Sequence, residues 1–117
     1  MQYALLIYDD ESKAPETWDA ATREAFFAEF AALTADMRAQ GVWLAAQRLA
    51  GTDSATTVHI RNQRTLVTDG PFAETKEALG GFYLIECADL DAALAWARRI
   101  PAARTGRVEV RPVFASA

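Results

Sequence analysis

The stretch GFYLIEC, residues 81–87, decides the fold of this chain. Successive side chains of a strand point to opposite faces, so Phe82 and Leu84 share one face while Tyr83 and Ile85 share the other. Both faces are apolar, which is typical of a strand in the middle of a sheet that is covered on both sides. The stretch therefore predicts a central strand.

A second strand of the same kind lies near the start of the chain. In YALLIY, residues 3–8, the odd-numbered and the even-numbered side chains are all apolar or aromatic, so we expect a central strand over residues 2–8. A short, imperfect strand pattern covers residues 42–49. Residues 107–113 alternate apolar and charged side chains and include a proline, which favours a strand at the edge of the sheet.

Two segments carry the period of an α-helix. The first spans about residues 17–40 and is followed by Gly41, a residue typical of the position after a helix. Its apolar stripe, which we interpret as core, consists of Phe26, Phe30, Leu33 and Met37. The second helix is capped by Asp89 and runs to about Ile100, where Pro101 stops it.

A β-hairpin is predicted between the two halves of the chain. Residues 56–61 and 64–68 form its strands, and Asn62 in the turn tolerates the positive φ that a tight hairpin requires. The element order is then strand, helix, strand, hairpin, strand, helix, strand. This order predicts an α+β, ferredoxin-like βαββαβ fold with an inserted β-hairpin. The first and third main strands are central in that topology, which agrees with their two apolar faces.

The predicted sheet has more apolar surface than this chain can cover. Two helices cover one face of a small sheet, so the second apolar face of the central strands would contact water. An exposed apolar patch of that size usually marks a partner surface. We therefore expect a homodimer in which two sheets pack face to face.

Composition limits the classes of protein that the chain can represent. Residues 1–117 form a single domain by size. A net charge of −4 with scattered Lys and Arg argues against a nucleic-acid partner, and no apolar run is long enough for a membrane span. The start of the sequence has no signal-peptide pattern, and the single Cys87 suits a reducing compartment, so we expect a cytoplasmic protein. The lone His59 has no ligand-spaced cluster around it, so we expect no metal and no cofactor.

The segment before the central strand carries a specific motif. Asp69-Gly70-Pro71-Phe72, followed by AETKE at 73–77 and GGF at 80–82, resembles the DGPF-domain branch of the YCII-related protein family. DLDAALAWA at 89–97 and VEVRPV at 108–113 fit as well, so the resemblance covers nearly the whole chain. It implies a dimeric α/β-barrel built from ferredoxin-like protomers and a pocket of unassigned chemistry. It also implies a regulatory link to alternative sigma factors, because members often come from operons that encode them.

The chain departs from the YCII-related proteins proper at one position. Those proteins carry a histidine in the first helix that pairs with an aspartate as an acid–base dyad. Phe30 stands at the corresponding position of this sequence. A His–Asp mechanism therefore does not carry over to this chain.

The glycines, proline and charges of residues 68–83 predict a site, since long ordered loops are often binding or catalytic. Asp69 is the candidate general acid or base, with a turn-forming role as the equally weighted alternative. The candidate ligand-binding residues are Gly70, Pro71, Phe72, Lys76, Tyr83 and Arg111. Lys76 is the residue best suited to hold an anion. Gly80 and Gly81 predict a close backbone approach or a bend at the start of the central strand.

Two classes of function follow from these residues. The first is a ligand-binding or regulatory module that holds an unidentified small molecule and is linked to a sigma factor. The second is a cofactor-independent enzyme of isomerase or lyase type that uses Asp69 for proton transfer. The lack of a conventional nucleophile–base pair favours the first class. The sequence names neither the reaction nor the ligand.

Overall fold

The computed structural model describes residues 1–115, which contain six strands and two α-helices. In chain order the elements are β1 (Gln2–Asp9), α1 (Ala20–Ala39), β2 (Trp43–Arg48), β3 (Thr56–Arg61), β4 (Arg64–Asp69), β5 (Ala78–Glu86), α2 (Leu90–Ala97) and β6 (Arg107–Pro112). Short 3₁₀ turns lie in the connections. Each strand and helix that the sequence predicted is present, with its ends shifted by a few residues.

Four of the strands form one sheet in the order β2-β5-β1-β6, and every neighbouring pair is antiparallel. The central strands are β1 and β5, the two that read as apolar on both faces. This order and the α+β element sequence are consistent with the predicted ferredoxin-like fold. The edge position predicted for the last strand, β6, is confirmed as well.

Local side-chain chemistry fixes the ends of the helices. The carboxylate of Asp19 accepts a hydrogen bond from the backbone N–H of Thr22 at 2.8 Å, and this caps the first turn of α1. Asp89 caps α2 in the same way through the N–H of Ala92 at 2.9 Å. Gly41 follows α1 with a φ of +73°, a conformation that glycine adopts without strain. The cap predicted at Asp89 and the glycine predicted after the first helix are therefore confirmed, whereas the Asp19 cap was not predicted.

Both helices pack on the same face of the sheet. The buried side chains of this core are Tyr3, Leu5, Leu33, Met37, Tyr83, Ile85, Ala93, Ala97, Ile100 and Ala102. The opposite face, which we call the open sheet face, has Ala4, Leu6, Tyr8, Phe82 and Leu84 at its centre. Neither α1 nor α2 lies over these side chains, which are partly exposed. The chain therefore has the second apolar face that the strand pattern predicted.

Strands β3 and β4 pair with each other as a separate hairpin. Asn62 and Gln63 form its turn with φ values of +52° and +64°, as a tight antiparallel turn requires. Val58 lies opposite Val67, and both side chains are exposed. The hairpin thus extends away from the core.

Candidate functional site

A cleft of about 690 Å³ opens on the helix side of the sheet, and we call it the helix-side cleft. Its base includes Ile7 of β1 together with Gly81 and Tyr83 of β5. The first half of α1 forms one wall, and the end of β2 with the following residues 49–53 forms another. Residues 9–16, which leave the end of β1, contribute to the rim. The cleft therefore forms where four segments that are distant in sequence meet.

Three phenylalanines of α1 give the cleft an aromatic wall. Phe26, Phe27 and Phe30 line it, because positions i, i+1 and i+4 of a helix lie on neighbouring parts of its surface. Phe26 contacts Phe30 edge to face with ring centroids 5.2 Å apart, and Trp18 packs on Phe26 in the same manner at 4.9 Å. The wall is thus a packed aromatic cluster with one side open to the cleft.

The aromatic wall corrects part of the interpretation of the helical stripe as core. Leu33 and Met37 are core residues, at 2% and 0% exposed. Phe26 instead lines the cleft, and Phe30 both lines the cleft and packs against the core. The physical reason lies in β5, where Gly80 has no side chain to fill the space beneath this half of α1.

An ion pair stands at the mouth of the cleft. Nη2 of Arg48, at the end of β2, lies 2.6 Å from Oε1 of Glu16. The same guanidinium lies over the ring of Phe27, 5.4 Å from its centroid. The backbone N–H of Glu16 and the Arg48 guanidinium hold the pKa of the Glu16 carboxyl below its usual range. Glu16 is therefore an anion at neutral pH.

Other carboxylates of the cleft tie its rim together. Glu11 accepts hydrogen bonds from the N–H of Thr52 at 2.7 Å and from its hydroxyl at 2.6 Å. Asp9 accepts hydrogen bonds from the hydroxyl of Thr105 and from the N–H of Asp10, each at 2.9 Å. These carboxylates are thus engaged in positioning the loops around the mouth. Among the described residues that line the cleft, Arg48 carries the one positive charge.

Tyr83 is the one sequence-predicted ligand-binding residue that lines the helix-side cleft. Its side chain is 3% exposed, and its hydroxyl lies 3.0 Å from the hydroxyl of Thr34 on α1. Burial raises the pKa of the Tyr83 phenol, and the hydrogen bond with Thr34 lowers it by a smaller amount. Tyr83 therefore offers an uncharged ring to the cleft and links β5 to α1.

The residues of the DGPF motif lie elsewhere, at the end of the hairpin. Asp69 is the last residue of β4, exposed and paired with Thr56. Gly70 has a φ of +97°, and its N–H donates to the carbonyl oxygen of Ala55 at 2.7 Å. These features fit the turn-forming role for Asp69-Gly70. The next two motif residues, Pro71 and Phe72, continue this turn, and the ring of Phe72 is 90% exposed.

The two predicted cations also lie apart from the helix-side cleft. Lys76 lines a shallow depression together with Tyr8 and Arg107. Arg111 lies on β6, where its guanidinium contacts the carboxylate of Glu109. Within the described residues, the predicted site residues thus do not come together in one place, and the acid–base role of Asp69 stays a prediction. The structure instead brings together residues that sequence reasoning did not single out, namely Glu16, Phe27 and Arg48.

Residues 1–115 hold no group of three or more His, Cys, Asp or Glu side chains arranged to bind a metal ion. None of the helices in these residues has the length and apolar character needed to cross a membrane.

Comparison with known proteins gives the family. The YCII-related domain family matches residues 1–116. The chain is also similar to an uncharacterized protein of Rhizobium meliloti (strain 1021), with 43% identity over 115 residues that cover 97% of this chain and 92% of the relative. Both matches extend over the sheet, both helices and the hairpin. The chain therefore belongs to the YCII-related domain family.

Proposed function

We propose that this protein binds a small organic molecule in the helix-side cleft. The observation that supports the proposal is a cleft of about 690 Å³ with an aromatic wall and one ion pair at its mouth. Small-molecule sites are typically clefts of ~300–1,000 Å³, mostly apolar, with a few polar groups that orient the ligand. The DGPF motif supports placing the chain in that branch of the family, with ligand binding serving a regulation linked to alternative sigma factors.

The arrangement favours a binding module over an acid–base enzyme. A general base needs a pKa near the working pH and a proton within hydrogen-bond reach. Glu16 is held as an anion by Arg48, and Glu11 is bonded through both oxygens to Thr52. Asp69, the acid–base candidate from the sequence, is exposed at the end of the hairpin. The groups at the cleft are thus placed for orientation rather than for proton transfer.

Two phenylalanine variants test the location of the site. A metabolite library is screened by thermal shift, and each compound that raises the melting temperature is measured again on Phe27→Ala and on Phe72→Ala. Phe27 lines the cleft, whereas Phe72 belongs to the DGPF turn outside it, so Phe72→Ala removes the same side chain without altering the cleft. The proposal requires Phe27→Ala to reduce the ligand-induced shift and Phe72→Ala to leave it unchanged. The reverse pattern would assign the site to the loop.

The open sheet face supports a second proposal, a homodimer. Leu6 and Leu84 lie at the centre of a face that α1 and α2 do not cover, and β6 places Glu109 and Arg111 along its edge. Removing apolar surface from water contributes ~25 cal/mol per Å², from which the entropic cost of association is subtracted. Two such faces packed together would complete a dimeric α/β-barrel.

Sedimentation velocity over a range of concentrations tests the dimer. Leu84→Glu places a charge on the open sheet face and should give a folded monomer. The control is Leu90→Glu, which alters an exposed leucine at the start of α2. The control should sediment as the wild-type dimer does. A wild-type protein that is monomeric at micromolar concentration would refute the proposal.

A further inference from the structure

We propose that the ligand of the helix-side cleft is a small monocarboxylate with an aromatic or branched apolar body. Arg48 would bind the ligand carboxylate in place of Glu16. This inference rests on the proposed binding function and specifies the chemistry of the ligand. It follows from the Arg48–Glu16 ion pair, the aromatic wall and the engagement of the Asp9 and Glu11 carboxylates.

Arg48 is the group in the cleft best suited to bind an anion. Its side chain is 55% exposed at the mouth, and its Nη2 lies 2.6 Å from Oε1 of Glu16. A guanidinium presents five N–H donors in a planar fork that matches a carboxylate in a bidentate manner. A ligand carboxylate can therefore pair with Arg48 through two parallel N–H···O hydrogen bonds.

A cationic ligand would meet few available anions, because three of the four carboxylates that line the cleft, those of Asp9, Glu11 and Glu16, are already engaged, and Asp53 is the fourth. Both oxygens of Glu11 accept hydrogen bonds from Thr52, and Asp9 accepts two hydrogen bonds as well. Glu16 holds Arg48. An amine at Asp9, Glu11 or Glu16 would have to break one of these contacts, and at the mouth it would be repelled by the like charge of the Arg48 guanidinium.

Displacing the Glu16 carboxylate from Arg48 should cost little free energy. Its side chain is 59% exposed and lies in the short 3₁₀ turn Pro15–Thr17. Ion pairs between exposed side chains contribute little to stability, so water can take over the interactions of a released Glu16. Arg48 would remain over the ring of Phe27 during the exchange, so part of its side-chain ordering is already present before the ligand binds.

The wall of the cleft determines the rest of the ligand. Beyond Arg48 lie the rings of Phe26, Phe27 and Phe30, with Tyr83 at the base. The Tyr83 hydroxyl is bonded to Thr34, so this residue presents its ring to the cleft. An aliphatic group of the ligand would bury apolar surface against these rings, and an aromatic group would also make edge-to-face contacts with them.

Three probes with one aromatic body separate charge from shape. Phenylacetate, 2-phenylethanol and 2-phenylethylamine are titrated into ¹⁵N-labelled protein at millimolar concentrations, and dissociation constants are taken from the amide shifts of cleft residues. The same titrations are run on Arg48→Gln, on Glu16→Gln and on Arg104→Gln. Arg104 pairs with Glu29 outside the cleft, so its variant is the control for loss of one positive charge.

We expect phenylacetate to bind most tightly of the three probes. Arg48→Gln should weaken phenylacetate at least tenfold, since hydrogen bonds to a charged group are among the strong ones, and should leave 2-phenylethanol unchanged. Glu16→Gln should tighten the binding of phenylacetate about two- to fivefold, because the ligand no longer competes with an exposed ion pair of that strength. Arg104→Gln should behave as the wild type.

Other outcomes overturn the inference. If 2-phenylethylamine binds as tightly as phenylacetate, or if Arg48→Gln does not weaken phenylacetate, the carboxylate assignment is wrong while binding in the cleft stands. If none of the probes shifts the cleft amides, this ligand class is wrong. The library screen with Phe27→Ala then decides separately whether the cleft binds any small molecule.

Discussion

Gly81 is the position where one added methyl group tests how β5 packs against β2. A Cβ at this residue would lie 2.8 Å from the carbonyl oxygen of Gln47 and 3.4 Å from Cα of Arg48, both of which are backbone atoms. Relieving the first contact requires the strand backbones to separate, and overpacking of this kind typically costs ~1–3 kcal/mol. Alanine regains ~0.4–1 kcal/mol by restricting the unfolded chain. We therefore expect Gly81→Ala to lower the free energy of unfolding by ~1–2 kcal/mol.

Gly80→Ala is the matched control, one residue away in the same strand. The nearest atom to its Cβ would be the carbonyl oxygen of Ile7 at 3.9 Å, an ordinary van der Waals distance. Its φ lies outside the left-handed region, so alanine should be neutral or stabilising by up to ~1 kcal/mol. Urea unfolding followed by circular dichroism, at one fixed protein concentration, measures both variants. Equal stability of the two variants, or a more stable Gly81→Ala, would refute the packing argument.

Three further predictions concern caps, the buried tyrosine and acid. Asp89→Ala should lower the free energy of unfolding by ~1 kcal/mol through loss of the α2 cap. Asp89→Asn should keep most of the stability that the cap provides, because asparagine also caps helices, and the same urea assay measures both variants. Tyr83→Phe should cost ~0.5–1.5 kcal/mol because it removes the hydrogen bond with Thr34, and an unchanged unfolding midpoint would contradict that bond. The backbone N–H of Thr22, and then its hydroxyl, lower the pKa of the Asp19 carboxyl in the folded protein. The ionised carboxyl therefore contributes its full stabilisation above the unfolded pKa of about 4, and this stabilisation is lost as the pH falls through the folded pKa. Melting temperatures measured between neutral and strongly acidic pH should therefore fall less in Asp19→Asn than in the wild type.

The strands and helices were predictable because their residues repeat with a clear period. Leu5 and Leu6 fall on opposite faces of β1 by simple alternation, and the hairpin turn followed from Asn62. The length of the loop after β4 was not predictable to the same degree. The sequence marked residues 68–83 as irregular, but β4 extends to Asp69 and β5 begins at Ala78. Glycines are depleted in strands, yet Gly81 pairs with Ile7 of β1, and Gly80 lies at the register shift between Gly81 and Leu79.

The candidate site was harder to predict than the fold because it depends on tertiary packing. Glu16 and Arg48 come from separate segments, and no local sequence pattern at either residue predicts that they form an ion pair. Phe26 looked like core because helical spacing shows which residues share a face and does not show what lies opposite them. A usable signal was present at Gly80, since a residue without a side chain in a central strand leaves space beneath the helix that covers the strand.

Strand β5 connects the two proposals, since it contributes Tyr83 to the helix-side cleft and Leu84 to the open sheet face. Phe82 lines the cleft as well as belonging to the open sheet face, so its variants would confound the two tests. Any coupling must be reciprocal, because a ligand that tightens the dimer is itself bound more tightly by the dimer. The ladders with β1 and β2 hold β5 on both sides, so its backbone has little freedom to transmit a shift. We therefore expect the dimer dissociation constant to be the same with and without bound ligand. A change of more than about fivefold, which is roughly 1 kcal/mol of coupling free energy, would show that β5 links the two surfaces.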